Sequence, residues 1–346
     1  MKRERLRTML PSNSRNAVRV EGGVVVKSVA RDSGGAAGGG SGGGNCGGSV
    51  VCGGDDALQG ELFFYRELAT RTPRLGHLFP RLLSGSAARL ELELVAGTPL
   101  SRVFAEGRMR PRHLEAAVAA LGALHAVGED EVPLVVSPAS AKRFLVEKTA
   151  ARFRAPEFAG LSGAPAVLRL LLARLEAYEP TTVRVVHGDA WFANILLLEG
   201  GASESRATGG GDGSSTSAAG SRPATSSNGA GVEAASVPCE LKFVDMRGRL
   251  GDELTLNGDP VYDFAKLLQS LLGFDEAVFG FDAVLPDYRS TLLAAFFALL
   301  RERGVRPRDV LTVALCLMAG SVPFHERREK LWQLVCALVT SVFAGI

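Results

Sequence analysis

His187-Gly188-Asp189-Ala190-Trp191-Phe192-Ala193-Asn194 decides the reading of this chain. Apolar runs flank it, Val183-Arg184-Val185-Val186 before and Ile195-Leu196-Leu197-Leu198 after. Such runs predict short buried strands, so the segment between them is a loop on a rigid base. The loop offers one carboxylate and, five residues later, one carboxamide. Phosphoryl transfer uses such a pair: the carboxylate accepts the proton of an attacking hydroxyl, and the amide oxygen helps hold a magnesium ion. His187 is expected to hold the loop's shape by hydrogen bonding rather than to act as the base.

A second acidic element is Leu241-Lys242-Phe243-Val244-Asp245-Met246-Arg247-Gly248, a strand ending in an aspartate and a glycine-bearing turn. Between it and Asn194 lies a tract at 199–238 rich in Gly, Ser, Ala and Thr. A glycine-dominated tract at 33–56 resembles it in composition. Neither buries enough apolar surface to offset its ordering entropy, so both are expected to be disordered insertions. The G-x-G-x-x-G matches in the first tract follow no strand and open no helix, so they carry no dinucleotide site. Excising the second tract leaves about a dozen residues, enough for a tight hairpin. That hairpin brings Asn194 and Asp245 to one end of two adjacent strands, as a pair of candidate metal ligands.

The amino-terminal third supplies a partner set. Residues 18–29 read as two strands joined by Glu21-Gly22-Gly23, and Lys27 follows Val24-Val25-Val26 on the second. A lysine so placed reaches nucleotide phosphates when an anion fixes it. Glu61 is the candidate anion. On a helix over 57–71 it shares a face with Leu58, Leu62, Tyr65 and Leu68, whereas Glu67 falls nearer the outside. Ser12-Asn13-Ser14-Arg15-Asn16 either covers the phosphates, with Ser14 as the contact, or is an ordinary turn. Residues 89–95 alternate Leu90, Leu92 and Leu94 with charged residues, predicting a half-buried strand that Gly97-Thr98-Pro99 breaks.

The chain is therefore expected to be α+β and two-lobed. A sheet-rich amino lobe covers 1–96, and a larger, mostly helical lobe covers 97–346. Without the insertions roughly 280 residues remain, which suits such an enzyme with a ligand cleft between its lobes. The formal net charge of +2 shows no concentrated basic face, so no nucleic-acid partner is expected. Lys2, Arg3, Arg5 and Arg7 precede no apolar signal core and read as a solvated start rather than a transit peptide. Cys46, Cys52, Cys239, Cys316 and Cys336 match no zinc spacing; reduced thiols in a cytoplasmic protein fit best. The apolar stretch 331–346 falls short of the ~20 residues that span a bilayer and reads as a buried helix, with no membrane span.

Gly258-Asp259-Pro260-Val261-Tyr262-Asp263 reads as a helix start, with Asp259 as N-cap and Asp263 anchoring the 187–194 loop. His125 follows an apolar stripe and reads as a core histidine. Lys142, Lys148 and Arg152 recur on a predicted helix and read as a solvated face; lining the cleft, they would favour an anionic substrate. His325, near Arg327 and Arg328, is read as structural, with a place in a substrate pocket as the alternative.

Taken together, these residues resemble the aminoglycoside phosphotransferase and choline kinase superfamily, small-molecule kinases with a protein-kinase-like fold. The matches are His187-Gly188-Asp189 with Asn194, Asp245 at a strand end, and Gly258-Asp259-Pro260 with Tyr262-Asp263. The Asp-to-Asn spacing equals that of the protein-kinase loop H-R-D-x-x-x-x-N. Lys27, Glu61 and residues 92–99 are similar to the family's nucleotide lobe and hinge. The resemblance implies a magnesium complex of ATP, or GTP, with adenine held by backbone groups near Leu94 and Val95. It further implies Asp189 as base, Asn194 and Asp245 as ligands of Mg2+, and Lys27 on the phosphates. Met246-Arg247 departs from the apolar-aromatic turn of protein kinases; Arg247 either neutralises transferred phosphate or bridges to Asp252 or Glu253. No dense acidic patch suited to a polycationic aminoglycoside follows Asp263. The expected acceptor is therefore a hydroxyl-bearing metabolite such as a sugar, polyol or amino alcohol. The alternatives are a pseudokinase or nucleotide-sensing interaction module, and a protein kinase, which the lack of an Ala-Pro-Glu-like segment end disfavours.

Overall fold

A computed structural model of the chain describes residues 16–29, 54–198 and 240–343. Ser14 and the two low-complexity tracts, apart from 54–56 at the end of the first, lie outside the described residues. Strands β1 (Asn16–Glu21) and β2 (Val24–Val29) form a hairpin closed by Gly22 and Gly23. Both glycines have positive φ, 59° and 84°, as a two-residue turn that matches strand twist requires. Strands β3 (Leu82–Ser86) and β4 (Arg89–Glu93) complete an antiparallel sheet in the order β1-β2-β4-β3. Helix α1 (Gly54–Arg71) lies on this sheet, burying Leu58, Leu62, Tyr65 and Leu68 against Leu90 and Leu92. Leu90 and Leu92 alternate inward as expected, but β4 ends at Glu93 and leaves Leu94 exposed in the connector.

The chain then enters the helical lobe. Strand β5 (Gly97–Pro99) is not a break but an edge strand, where proline's missing N–H is tolerated. Helices α2 (Leu100–Ala105), α3 (Pro111–His125), α4 (Pro138–Phe153) and α5 (Ala164–Glu176) follow. Strand β6 (Arg184–Val185) leads into the 187–194 loop, and β7 (Ile195–Leu198) and β8 (Leu241–Phe243) carry the chain away from it. β7 and β8 pair antiparallel, Ile195 opposite Phe243, and the Val244 N–H donates to the Asn194 carbonyl. Asn194 and Asp245 thus stand at the same end of two neighbouring strands.

Helices α6 (Pro260–Leu271), α7 (Phe274–Phe279), α8 (Pro286–Glu302), α9 (Pro307–Ser321) and α10 (Arg328–Phe343) fill the rest. The stretch Pro307–Phe324 is long and apolar enough to cross a membrane. In this fold α9 is the central core helix, with Val310 and every residue from Val313 to Met318 nearly inaccessible, packed on α6, α5, α4 and α10. A helix apolar all round belongs in such a place.

The two lobes meet backbone to backbone. A Cβ on Gly248 would stand 1.8 Å from the Gly60 carbonyl oxygen, and one on Gly60 would stand 2.2 Å from that of Arg247. Gly248 also has φ +58°, which L side chains rarely adopt. Gly248→Ala is therefore expected to destabilise the protein by about 1–3 kcal/mol through overpacking and backbone strain. Gly76, with open space around it, is the control, and Gly76→Ala should stay within about 0.5 kcal/mol. Urea unfolding of both variants checks this; equal midpoints would remove the contact from the stability of the fold.

Candidate active site

The Gly60–Gly248 approach sets α1 close enough for Glu61 to reach across to β2. Lys27 Nζ donates to both Glu61 carboxylate oxygens, at 2.8 and 2.9 Å, and also to Asp245 Oδ1. Lys27 and Glu61 are buried, whereas the Asp245 side chain is 45% exposed toward the cleft. Asp245 is the one non-glycine residue of positive φ among the described residues, at 61°. Such backbone strain persists only where its surroundings hold it, and it gathers at functional positions.

The 187–194 loop is built from beneath. Asp263, with no exposed surface, accepts from the His187 N–H at 2.9 Å and the Gly188 N–H at 2.8 Å, and bonds His125 Nε2 at 3.0 Å. Asp259 caps α6 by accepting from the Val261 N–H, and the Tyr178 hydroxyl donates to its other oxygen at 2.6 Å. His187 is fully buried under the loop, and its Nδ1 accepts from the Asp189 N–H at 3.1 Å. Burial lowers its pKa, so the ring is held neutral and does not face the cleft. The His187 carbonyl accepts from the Arg247 N–H at 2.9 Å, tying the loop to the turn after β8.

Asp189 stands above this base. The Asn194 side-chain nitrogen donates to the Asp189 carbonyl at 2.9 Å and to its Oδ2 at 3.2 Å. Lys266 Nζ pairs with Oδ1 at 2.9 Å, and the Asp189 side chain remains 31% exposed. Burial alone pushes this carboxyl up, but Lys266 and Arg247 outweigh it and hold the pKa at about 2. The arrangement offers an ionised carboxylate, an amide whose nitrogen is committed and whose oxygen is left to coordinate, a second carboxylate, and a fixed ammonium. Leu94 and Val95 lie in the connector between β4 and β5, at the junction of the lobes.

Three features escape a reading of the sequence. Lys266 pairs with the loop carboxylate. Arg247 donates to the Tyr262 hydroxyl at 3.0 Å and stacks on its ring, and it is Arg249 that approaches Asp252, at 3.7 Å. Lys148 is not on a solvated face: its ammonium lies over the rings of Phe144 and Tyr262 at 5.5 and 5.8 Å. Lys142, by contrast, does point outward, to Glu179. The spacing of Asp259, Tyr262, Asp263 and Lys266, at i, i+3, i+4 and i+7, puts all four on one face and was the available signal.

Residues 55–204 match the family model described as the phosphotransferase enzyme family. The matched stretch contains Glu61, Asp189 and Asn194, while Lys27 and Asp245 lie outside it. Among solved structures the chain is similar to a choline/ethanolamine kinase family protein from Mesorhizobium loti. That likeness has 14% identity, TM-score 0.51, and covers 97% of this chain and 88% of that one. It is also similar to an ethanolamine kinase from Plasmodium vivax, at 10% identity and TM-score 0.51, over 100% and 85% of the two chains. A third likeness is to an APH(2") enzyme solved as its GDP and kanamycin complex, at 14% identity and TM-score 0.54, over 98% and 93%. At these identities the likenesses show the fold, which is protein-kinase-like. No curated protein shows significant sequence similarity to the chain.

Two expectations follow from the site's buried carboxylates. Asp263→Ala leaves two buried loop N–H groups without their acceptor and should cost roughly 3–5 kcal/mol, read from the urea midpoint. Asp275, on α7, is fully buried, and burial pushes it up to about 7, the Ser270 hydroxyl offsetting only part. The folded protein then holds this proton more tightly than the unfolded chain. The contribution of Asp275 to stability is therefore full below about pH 4 and is lost as pH rises to about 7. Asp275→Asn should flatten that slope, by up to about 4 kcal/mol; an unchanged slope between pH 4 and 7 would show that Asp275 does not titrate there.

Proposed function

We propose that the chain transfers the terminal phosphate of a magnesium nucleotide, ATP or GTP, to a hydroxyl of a small molecule such as a sugar, polyol or amino alcohol. The observation that carries this reading is that two bonded sets, Lys27 with Glu61 and Asp245, and Asp189 with Asn194, are brought side by side by the β7–β8 pairing, where the Val244 N–H donates to the Asn194 carbonyl. The family match over Glu61, Asp189 and Asn194 supports it, as does a fold shared with a structure that holds GDP.

The residues present fit the metal. A magnesium ion bridged by nucleotide phosphates takes one or two protein oxygens and keeps the rest for phosphate and water. Asp245 and the Asn194 amide oxygen supply two, and a cluster of three or more acidic, histidine or cysteine groups is not needed; none occurs among the described residues. When bound, the ion neutralises charge on the phosphate oxygens. Lys27, fixed by Glu61, exchanges its contact with Asp245 for the nucleotide phosphates. Asp189 orients the acceptor hydroxyl and takes its proton. Lys266 and Arg247 stabilise the charge that gathers on the transferred group. Asn194, through its two bonds to Asp189, keeps the carboxylate from turning away. The connector at Leu94 and Val95 holds the base of the nucleotide through its backbone.

Asp189→Asn should lower turnover by about two to four orders of magnitude and leave nucleotide binding nearly intact. Asp245→Asn should abolish the magnesium-dependent part of the thermal stabilisation by nucleotide, which is about 2.7 kcal/mol at 100 times the dissociation constant in the wild type. Undiminished turnover in the first variant would take Asp189 out of the reaction. Absence of any shift with ATP or GTP in the wild type would sink the reading as a whole.

A further inference from the structure

The acceptor side of the site is cationic, and among the described residues one of its cations pairs with no carboxylate. From Asp189 the positive groups run outward through Lys266, then Arg247 on Tyr262, then Lys148. Arg152 lies beyond on α4, stacked on Phe324 at 5.0 Å. Carboxylates are few. Asp189 is engaged by Lys266, and Asp275, within the field of Lys266, is fully buried with a raised pKa. Among the described residues Lys148 pairs with no carboxylate and rests on aromatic faces alone. Burial, then the nearness of Arg247, pushes its pKa down to about 7. The same field reaches the Tyr262 hydroxyl: burial would raise it, yet Arg247 and Lys148 bring it down to about 7. A lysine half-stripped of water among other cations is an unfavourable arrangement until an anion joins it.

Nucleotide phosphates do not account for Lys148. Lys27 serves them from the amino-terminal sheet, and Lys266 and Arg247 stand next to the reacting carboxylate. Lys148 lies farther out, across the Tyr262 ring, on a helix of the carboxy-terminal lobe. An incoming ammonium would add like charge here, at a cost of roughly 1–4 kcal/mol per close pair depending on exposure. On the phosphotransferase reading above, we infer that the acceptor is itself an anion, a small hydroxyl compound bearing a phosphate or carboxylate group, and that Lys148 recognises this group beyond Arg247 and Tyr262.

The test uses the full chain saturated with Mg·ADP and follows thermal unfolding. Inorganic phosphate, sodium sulfate, acetate and choline chloride are titrated separately into wild type and Lys148→Met. The expected result is a saturable stabilisation of the wild type by at least one of the anions and none by choline. The half-saturating anion concentration should rise about tenfold in Lys148→Met, with that for Mg·ADP unchanged within about twofold. Lys148→Arg should retain the anion response, and Lys148→Gln replaces the methionine variant if that one does not unfold cooperatively. Phosphate and sulfate acting without acetate point to a phosphorylated acceptor; acetate acting points to a carboxylate. An anion effect that is linear and equal in both proteins is bulk salt stabilisation and overturns the proposal. So does an effect equal in both that saturates, which places the anion on the nucleotide side, or a stronger response to choline. A Mg·ADP response without an anion response overturns this inference alone, whereas no response to Mg·ADP overturns the phosphotransferase reading beneath it.

Discussion

The Asp263 carboxylate is the constraint on which the rest of the site depends. It is a polar group with no exposed surface, which is tolerable only because two backbone N–H groups and a histidine are turned toward it. Those donors belong to the start of the 187–194 loop and to α3, while the acceptor sits in the first turn of α6. One side chain thereby fixes three elements. Because the His187 carbonyl then receives the Arg247 N–H, the turn after β8 is fixed as well. The loop that carries Asp189 and the turn that follows Asp245 both rest on this one satisfied carboxyl group.

The second constraint is steric and joins the lobes. At Gly60 and Gly248 the absence of two Cβ atoms lets helix backbone touch turn backbone. That approach sets how far Glu61 must reach, and the reach sets where Lys27 stands. A buried ion pair of this kind contributes little to net stability, because desolvation offsets most of the attraction. Its consequence is positional: Lys27 has one place to be, and Asp245 lies within its grasp. The sheet and the helical lobe thus share an electrostatic contact, Lys27 to Asp245, three residues from the glycine where helix and turn backbones meet.

What the sequence made legible was local or periodic. The Gly22-Gly23 turn, the α1 stripe with Glu61 on it and the α6 cap each follow from spacing within a dozen residues. The β7–β8 pairing was legible because composition marked the tract at 199–238 as separable. The misses have physical causes. β3, Leu-Leu-Ser-Gly-Ser, has neither alternation nor β-branched residues, and its pairing is set by β4. β5 contains a proline that only an edge position permits. α4 has so little apolar sidedness that no pattern says which way Lys148 turns; its partner Tyr262 is more than a hundred residues away.

The low pKa of Asp189 bears on the kind of catalysis proposed for it. A carboxylate held at about 2 by Lys266 and Arg247 is a weak base near neutral pH. Strong proton abstraction is therefore not what the surroundings favour. In a loose phosphoryl transfer little proton removal is needed before the bond to the leaving oxygen lengthens, and the burden falls on alignment and charge. On the proposed reading, the same cations that weaken Asp189 as a base stabilise the phosphoryl oxygens, and they keep the carboxylate ionised and fixed. An acceptor hydroxyl entering between Asp189 and Lys266 would loosen that pair, raising the affinity of the carboxylate for a proton at the point in the reaction when it must take one.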